Sequence, residues 1–185
     1  MENINNFDAT ERVNAGIAGN AVADEGICIT GHYDVTCLDA DGNIKWEDTI
    51  KNLVMTAGKT DILTQYFAGS AWTPTWFLGL VSTGGTYAIG DTMASHGTWT
   101  ENVQYSNATR PQPAWNAAVT TTKATTATAF NINGTGGTIA GAFLTSIGTK
   151  SGVTGTLYSA GNFTGGDKVV ASGDTLNVTY TATIS

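Results

Sequence analysis

The chain has 185 residues, 15 acidic against 8 basic, and a formal charge of −7. One domain of this length, with or without a small N-terminal piece, buries about 70% of the surface its unfolded form exposes, so it needs neither disulfide nor metal to fold. With no Lys/Arg run and no long apolar window, the chain is read as binding neither nucleic acid nor anionic lipid and as having no membrane span.

Residues 1–25 are rich in Asn, Ala and Gly and lack periodicity. They read as an extended or flexible N-terminal arm. Met1-Glu-Asn-Ile-Asn-Asn-Phe-Asp8 has no basic region followed by an apolar run, so no signal peptide is expected. Residues 26–185 read as one β-domain. The first part, 26–54, predicts a hairpin: Ile27, Ile29, Tyr33, Val35 and Cys37 alternate with polar residues, and Ile44, Trp46, Asp48 and Ile50 alternate on the return. Asp39-Ala-Asp-Gly-Asn43 is the turn, with Asp41-Gly42 as the tight pair. Asp48 interrupts the apolar face, so it needs a partner or a sheet end.

Thr60-Asp61 resembles a helix N-cap, and Ile62, Leu63, Tyr66 and Phe67 follow at helical spacing. A short helix is expected near 60–68, stopped by Gly69. The apolar run Trp76–Val81 predicts a buried strand. Asp91 is expected to cap one helical turn through Met93 and Ala94, with Gly97 as a left-handed stop and His96 near its end. Trp99 and Val103 are placed on one side of a strand. Residues 120–126 form an edge strand or a loop.

From Thr128 onward the strand signal is regular. Phe130 and Ile132 alternate with Asn131 and Asn133, Gly134–Gly137 turns, and short strands follow at 139–145, 155–163 and 168–171. The last is the clearest: Leu176, Val178, Tyr180, Ala182 and Ile184 share one face, opposite Thr175, Asn177, Thr179, Thr181 and Thr183. Short strands separated by Gly turns predict an antiparallel β-sandwich, jelly-roll or immunoglobulin-like, with one or two short helices.

The candidate sites are weak. Asp39–Asn43 with Glu47 has the wrong Gly and Glu spacing for a calcium loop. Cys28, His32 and Cys37 are too few for a closed zinc site, and the two cysteines read as small buried thiols rather than a disulfide. Ser95, His96 and Asp91 sit too close together for a nucleophilic triad, and no G-x-S-x-G elbow is present. Nothing fixes the separation of Asp91 and Glu101 as a carboxylate pair. Trp72, Trp76, Trp99, Trp115 and Tyr105 read first as core and second as a sugar-stacking face. Asn-x-Thr matches at Asn107, Asn133, Asn162 and Asn177 are chance hits in a Thr-rich chain. No catalytic residue, metal or cofactor is expected. The segment Tyr105–Arg110, with Asn107 and then Trp115, is expected to touch a neighbouring molecule. On that reading Arg110 can be removed without unfolding the chain.

Several segments resemble a set of small tailed-bacteriophage virion proteins. These are Trp76-Phe-Leu-Gly-Leu80, Asp91-Thr-Met-Ala-Ser-His96, Trp99-Thr-Glu101, Tyr105-Ser-Asn-Ala-Thr-Arg-Pro111, Phe130-Asn-Ile-Asn133, Gly141-Ala-Phe-Leu-Thr145, Gly155-Thr-Leu-Tyr158 and Phe163-Thr-Gly-Gly-Asp167. The likeness runs from about Trp46 to the C-terminus and leaves out the arm. It implies a non-enzymatic capsid cement or decoration protein on the virion surface, bridging major capsid protein and neighbouring copies of itself as a dimer or trimer. A tail, baseplate or head-fibre component with a receptor- or glycan-binding role is the alternative.

Overall fold

The computed structural model describes residues 27–67 and 75–185. The expected arm, Gly69 and Trp72 lie outside the described residues.

β-Branched and aromatic residues in alternation build an antiparallel β-sandwich. The first sheet holds β1 (Ile29–Leu38), β2 (Ile44–Lys51), β6 (Thr122–Ala124), β7 (Thr128–Asn131) and β12 (Thr175–Ile184). Its order is β2-β1-β12-β6, with β7 also pairing β12. The second runs β3-β10-β9-β4-β5, from β3 (Leu53–Val54), β10 (Leu157–Asn162), β9 (Gly141–Thr145), β4 (Phe77–Thr83) and β5 (Thr100–Asn102). A small ribbon pairs β8 (Gly137–Ile139) with β11 (Lys168–Val170).

The β1–β12 register places Tyr33 opposite Tyr180, Val35 opposite Val178 and Cys37 opposite Leu176. These inward side chains meet Leu78, Leu80, Ala142 and Leu144 of the second sheet in the main core. The second sheet is buried on its other face too. There Val81, Phe143, Leu157 and Ala160 pack with Met55, Met93 and Trp99. This double burial explains why β4 and β9 read as continuous apolar runs instead of alternating. The segment 84–99 supplies Met93 and Trp99 and so covers the outer face.

The hairpin turn falls at residues 39–43, as expected, but the Gly42 N–H bond to the Asp39 carbonyl centres it on Ala40 and Asp41 rather than on Asp41-Gly42. The Asp39 carboxylate accepts hydrogen bonds from the Asp41 and Asn43 N–H groups at 2.9 and 2.8 Å. Gly42 takes the left-handed conformation (φ 84°) that the turn requires. Cys28 is exposed, so only Cys37 fits the expectation of buried thiols. Burial, helped by the Asp174 carboxylate, pushes the Cys37 thiol up to about 11.

One helix, α1, spans Thr56–Tyr66. It begins at Thr56 rather than Thr60, and its N-cap, Met55, makes no side-chain cap. The Met55 and Thr56 N–H groups are met by the Tyr158 and Ile89 carbonyls instead. Gly58 lets the helix lie directly on β10: a Cβ there would sit 2.7 Å from the Tyr158 carbonyl oxygen. Asp61 is therefore a mid-helix residue, not a cap. Trp99 is 3% exposed and Val103 39%, so the two do not share a face.

Asp48 has the partner its position demanded. Its carboxylate accepts from Lys168 at 2.7 Å, from the Thr164 hydroxyl at 2.8 Å and from the Thr49 N–H at 2.7 Å. This clasp ties the edge strand β2 to the turn that follows β10. Burial alone would raise the Asp48 pKa, but the bonds from Lys168, Thr164 and Thr49 outweigh it and hold the carboxyl below the usual aspartate value. A depressed folded-state pKa gives stability that is present above about pH 4 and lost as pH falls through the folded value. Wild-type protein should lose stability across that acid window in chemical denaturation, and Asp48→Asn should lose markedly less over the same window.

Candidate functional site

Arg110 is fully buried, which overturns the expectation that it touches a neighbour. Its guanidinium forms a two-pronged pair with Glu101, Nε to Oε1 at 2.8 Å and Nη2 to Oε2 at 2.7 Å. It also donates to the carbonyls of Ile147 and Gly152, at 2.9 and 3.1 Å. It lies 5.1 Å from the Phe143 ring centre. Four of its five N–H donors are used within the fold, and the side chain has no exposed surface to offer a partner. Removing the Arg110 side chain is consequently a core mutation.

Tyr105 is buried as well, at 1% exposed, and packs edge-on against Phe130. It is therefore not the surface contact expected. Burial raises its phenol pKa well above the ordinary value. Lys150 sits 3.8 Å over its ring and donates to its carbonyl. Asn107 is half-buried and bonds the Ala129 carbonyl at 3.4 Å.

Asp91 does not cap a helical turn. Its carboxylate accepts the Ala88 N–H at 3.1 Å and closes the preceding turn. A tight turn follows, with Thr92 and Ser95 bridged to each other. Gly97 lies outside the left-handed region. His96 stacks on Trp99 with ring centres 3.9 Å apart. Its Nδ1 is buried without a hydrogen bond, so neither Ser95 nor Asp91 engages that nitrogen. With Asp91 closing a turn and Glu101 held by Arg110, neither carboxylate is free for acid–base work. The Trp76–Pro113 stretch is a structural cover and lock.

A smaller hollow of about 260 Å³ lies over His96, Trp99, Glu101 and Arg110, and a mainly aromatic cleft opens elsewhere, where the two sheets part beside α1. It is a cleft of about 410 Å³. Trp76, Trp115, Tyr158 and Tyr180 line it, with Ile62, Leu144 and Ala182 between them and Asp61 and Lys123 contributing charge. The close seat of α1 on β10 carries Asp61 and Ile62 over Tyr158. The bridge from Trp115 to Thr125 fixes the indole beside β6 and β12. Trp76 meets Tyr158 edge-on at 5.3 Å, and Trp115 meets Tyr180 edge-on at 6.2 Å.

Polar atoms gather at this aromatic wall. Asp61 Oδ2 is buried without a hydrogen-bond partner, and the Tyr180 hydroxyl, deeper in the core, interacts with the side chains of Ser159, Asn52 and Tyr158. Next to them, Tyr33 and Ser159 satisfy each other at 2.6 Å. Burial raises the Tyr158 and Tyr180 pKa values further above the neutral range.

Of the residues the sequence put forward, only Trp115 and Trp76 belong to the cleft. Asp61, Lys123, Tyr158 and Tyr180 were missed as site residues. The available signal was Tyr rather than Phe at core-facing positions of β10 and β12, where a hydroxyl needs a reason to be buried.

Among the described residues, no group of three or more His, Cys, Asp or Glu side chains is placed to hold a metal. No helix is long and apolar enough to cross a membrane. A scan against protein-family models finds no match, and searches of curated proteins and solved structures find none either.

Trp99 joins the cover to the sheet, stacking on His96 and lying 5.1 Å from Phe143. Trp99→Ala should cost about 3–5 kcal/mol in chemical denaturation. His96→Ala should cost about 1 kcal/mol, because it removes one stacking partner from a half-buried position.

Proposed function

We propose that the chain is a non-enzymatic structural protein of a tailed-phage particle, a capsid decoration or cement protein. Its partners on this reading are the major capsid protein and neighbouring copies of itself. The observation that carries the reading is the bare apolar end of α1. Leu63, Tyr66 and Phe67 are 58%, 81% and 76% exposed. Tyr66 and Phe67 pack edge-on against each other at 5.0 Å and cover nothing in the core. Grouped apolar side chains on an otherwise polar surface mark a contact site. The edge strand β2 carries exposed Lys45, Glu47 and Lys51, charges that discourage strand-to-strand association. The helix end is thus a better docking element than the sheet edge. The segment resemblances given above point the same way. On a shell, many copies compensate for weak single contacts by avidity.

A tail, baseplate or head-fibre role with a glycan-binding function is the second reading, favoured by the aromatic cleft. Quantitative mass spectrometry of purified particles separates the two. Decoration predicts a copy number comparable with that of the major capsid protein; a few copies per particle would remove it. In the same preparation, Tyr66→Ser with Phe67→Ser should leave the melting curve unchanged and weaken particle association about tenfold or more.

A further inference from the structure

We infer that Asn133 is a site of spontaneous deamidation, in which the Gly134 amide nitrogen attacks the Asn133 side chain and converts it to aspartate or isoaspartate. The inference does not depend on where on a particle the chain sits.

Asn133-Gly134 is the one Asn-Gly pair in the chain. Glycine carries no Cβ, so the attacking residue does not crowd the approach of its own nitrogen to the Asn side chain.

The fold leaves the pair open. Asn133 to Gly136 form a turn between β7 and β8, in which the Asn133 carbonyl accepts the Gly136 N–H at 3.4 Å. Gly134 takes the second position with φ 65°, the left-handed conformation that primed turns require there. That closing bond uses the first and last residues, and the Gly134 N–H bonds to no described residue. Both residues are exposed, and no atom stands within 4 Å of where a Gly134 Cβ would lie. The other exposed asparagines among the described residues are tied by their side chains: Asn43 to Asp39, Asn116 to the Thr125 carbonyl and Asn131 to the Thr175 hydroxyl. Asn133 has no such tie. The Asp41-Gly42 pair differs as well, because the Asp39 carbonyl holds the Gly42 N–H at 3.0 Å.

The chemistry needs only hydroxide and water. Hydroxide takes the Gly134 amide proton, and the nitrogen forms a bond to Asn133 Cγ. The Cγ–Nδ2 bond breaks, and the side-chain nitrogen leaves as ammonia with a proton from water. Water then opens the resulting succinimide at either carbonyl, giving aspartate or isoaspartate. Both products add a negative charge. Isoaspartate also adds a carbon to the main chain, in a turn where the Val170 carbonyl leaves no room for a Cβ on Gly136. That extra length would disturb the pairing of β8 with β11.

The test incubates the full chain in mildly alkaline buffer and follows it by peptide mapping with mass spectrometry. A protein isoaspartyl methyltransferase serves as the reagent for isoaspartate. The Asn133 peptide should gain the mass that replaces NH₂ by OH, as two separable products, before the peptides of Asn43, Asn116 and Asn131 change. The native chain should react within about tenfold of the rate in urea, because an exposed turn opens at little cost. Asn133→Gln should remove the early product from intact-mass spectra, and Gly134→Ala should slow its formation. Four results would each overturn the inference: Asn133 unchanged in the native chain, a native rate below that range, one of the other three asparagines reacting as fast, or an undiminished rate in Gly134→Ala.

Discussion

A guanidinium enclosed on all sides can persist only if its charge and its donors are met, and Arg110 meets that condition with groups drawn from several parts of the chain. Glu101 comes from β5, the Ile147 and Gly152 carbonyls from the loop after β9, and the Phe143 ring from β9 itself. The Arg110 N–H adds a bond to the Gly148 carbonyl at 2.7 Å, and Glu101 takes the Ser151 N–H at 2.7 Å. One side chain thus fixes the edge of the second sheet, the 147–152 loop and the segment leading to Pro111 in a single geometry. The cover at 84–99 depends on it, because Trp99 rests on the same Phe143 ring that Arg110 approaches.

The period of two along a strand carries this arrangement through to the cleft. Phe143 and Leu144 are neighbours on β9 and point to opposite faces. Phe143 belongs to the outer core under Trp99 and Arg110, while Leu144 faces the main core and lines the cleft. The lock and the candidate ligand site are therefore on opposite sides of one strand. This separation lets the Trp76–Pro113 stretch be read as scaffold and the cleft as the surface available for binding. The apolar end of α1 lies on the helix that also supplies Asp61 and Ile62 to the cleft. A partner docked on Tyr66 and Phe67 would sit close to that opening.

Much of the fold was legible because half-buried strands print their geometry on the sequence. β12 alternates almost throughout, and the hairpin and β7 could be placed from the same signal. In the second sheet β4, β9 and β10 are buried on both faces and lose the alternation, so they were placed from apolar runs between glycine turns instead. The start of α1 was misread because Thr60-Asp61 looks like a cap. Gly58, which reads as a helix breaker, is instead what allows the helix to touch Tyr158. The site was mostly illegible. Arg110 before a proline in an Asn- and Thr-rich segment looks solvated, and its pairing with Glu101 exists only once β5 and the 147–152 loop are in place. Asp61, Trp115, Tyr158 and Tyr180 are far apart in the chain and converge only through the packing of α1 on β10 and of one sheet on the other.

The Arg110–Glu101 pair is the lock of the second sheet. A double-mutant cycle in chemical denaturation, using Arg110→Ala, Glu101→Ala and the double variant, measures this directly. Each single change should destabilise the protein by about 3–5 kcal/mol, because it leaves the partner charge buried and unpaired. The double variant should cost clearly less than their sum. If Arg110→Ala unfolds at the wild-type midpoint and the cycle shows no coupling, Arg110 is not the lock, and the division between scaffold and binding surface fails with it.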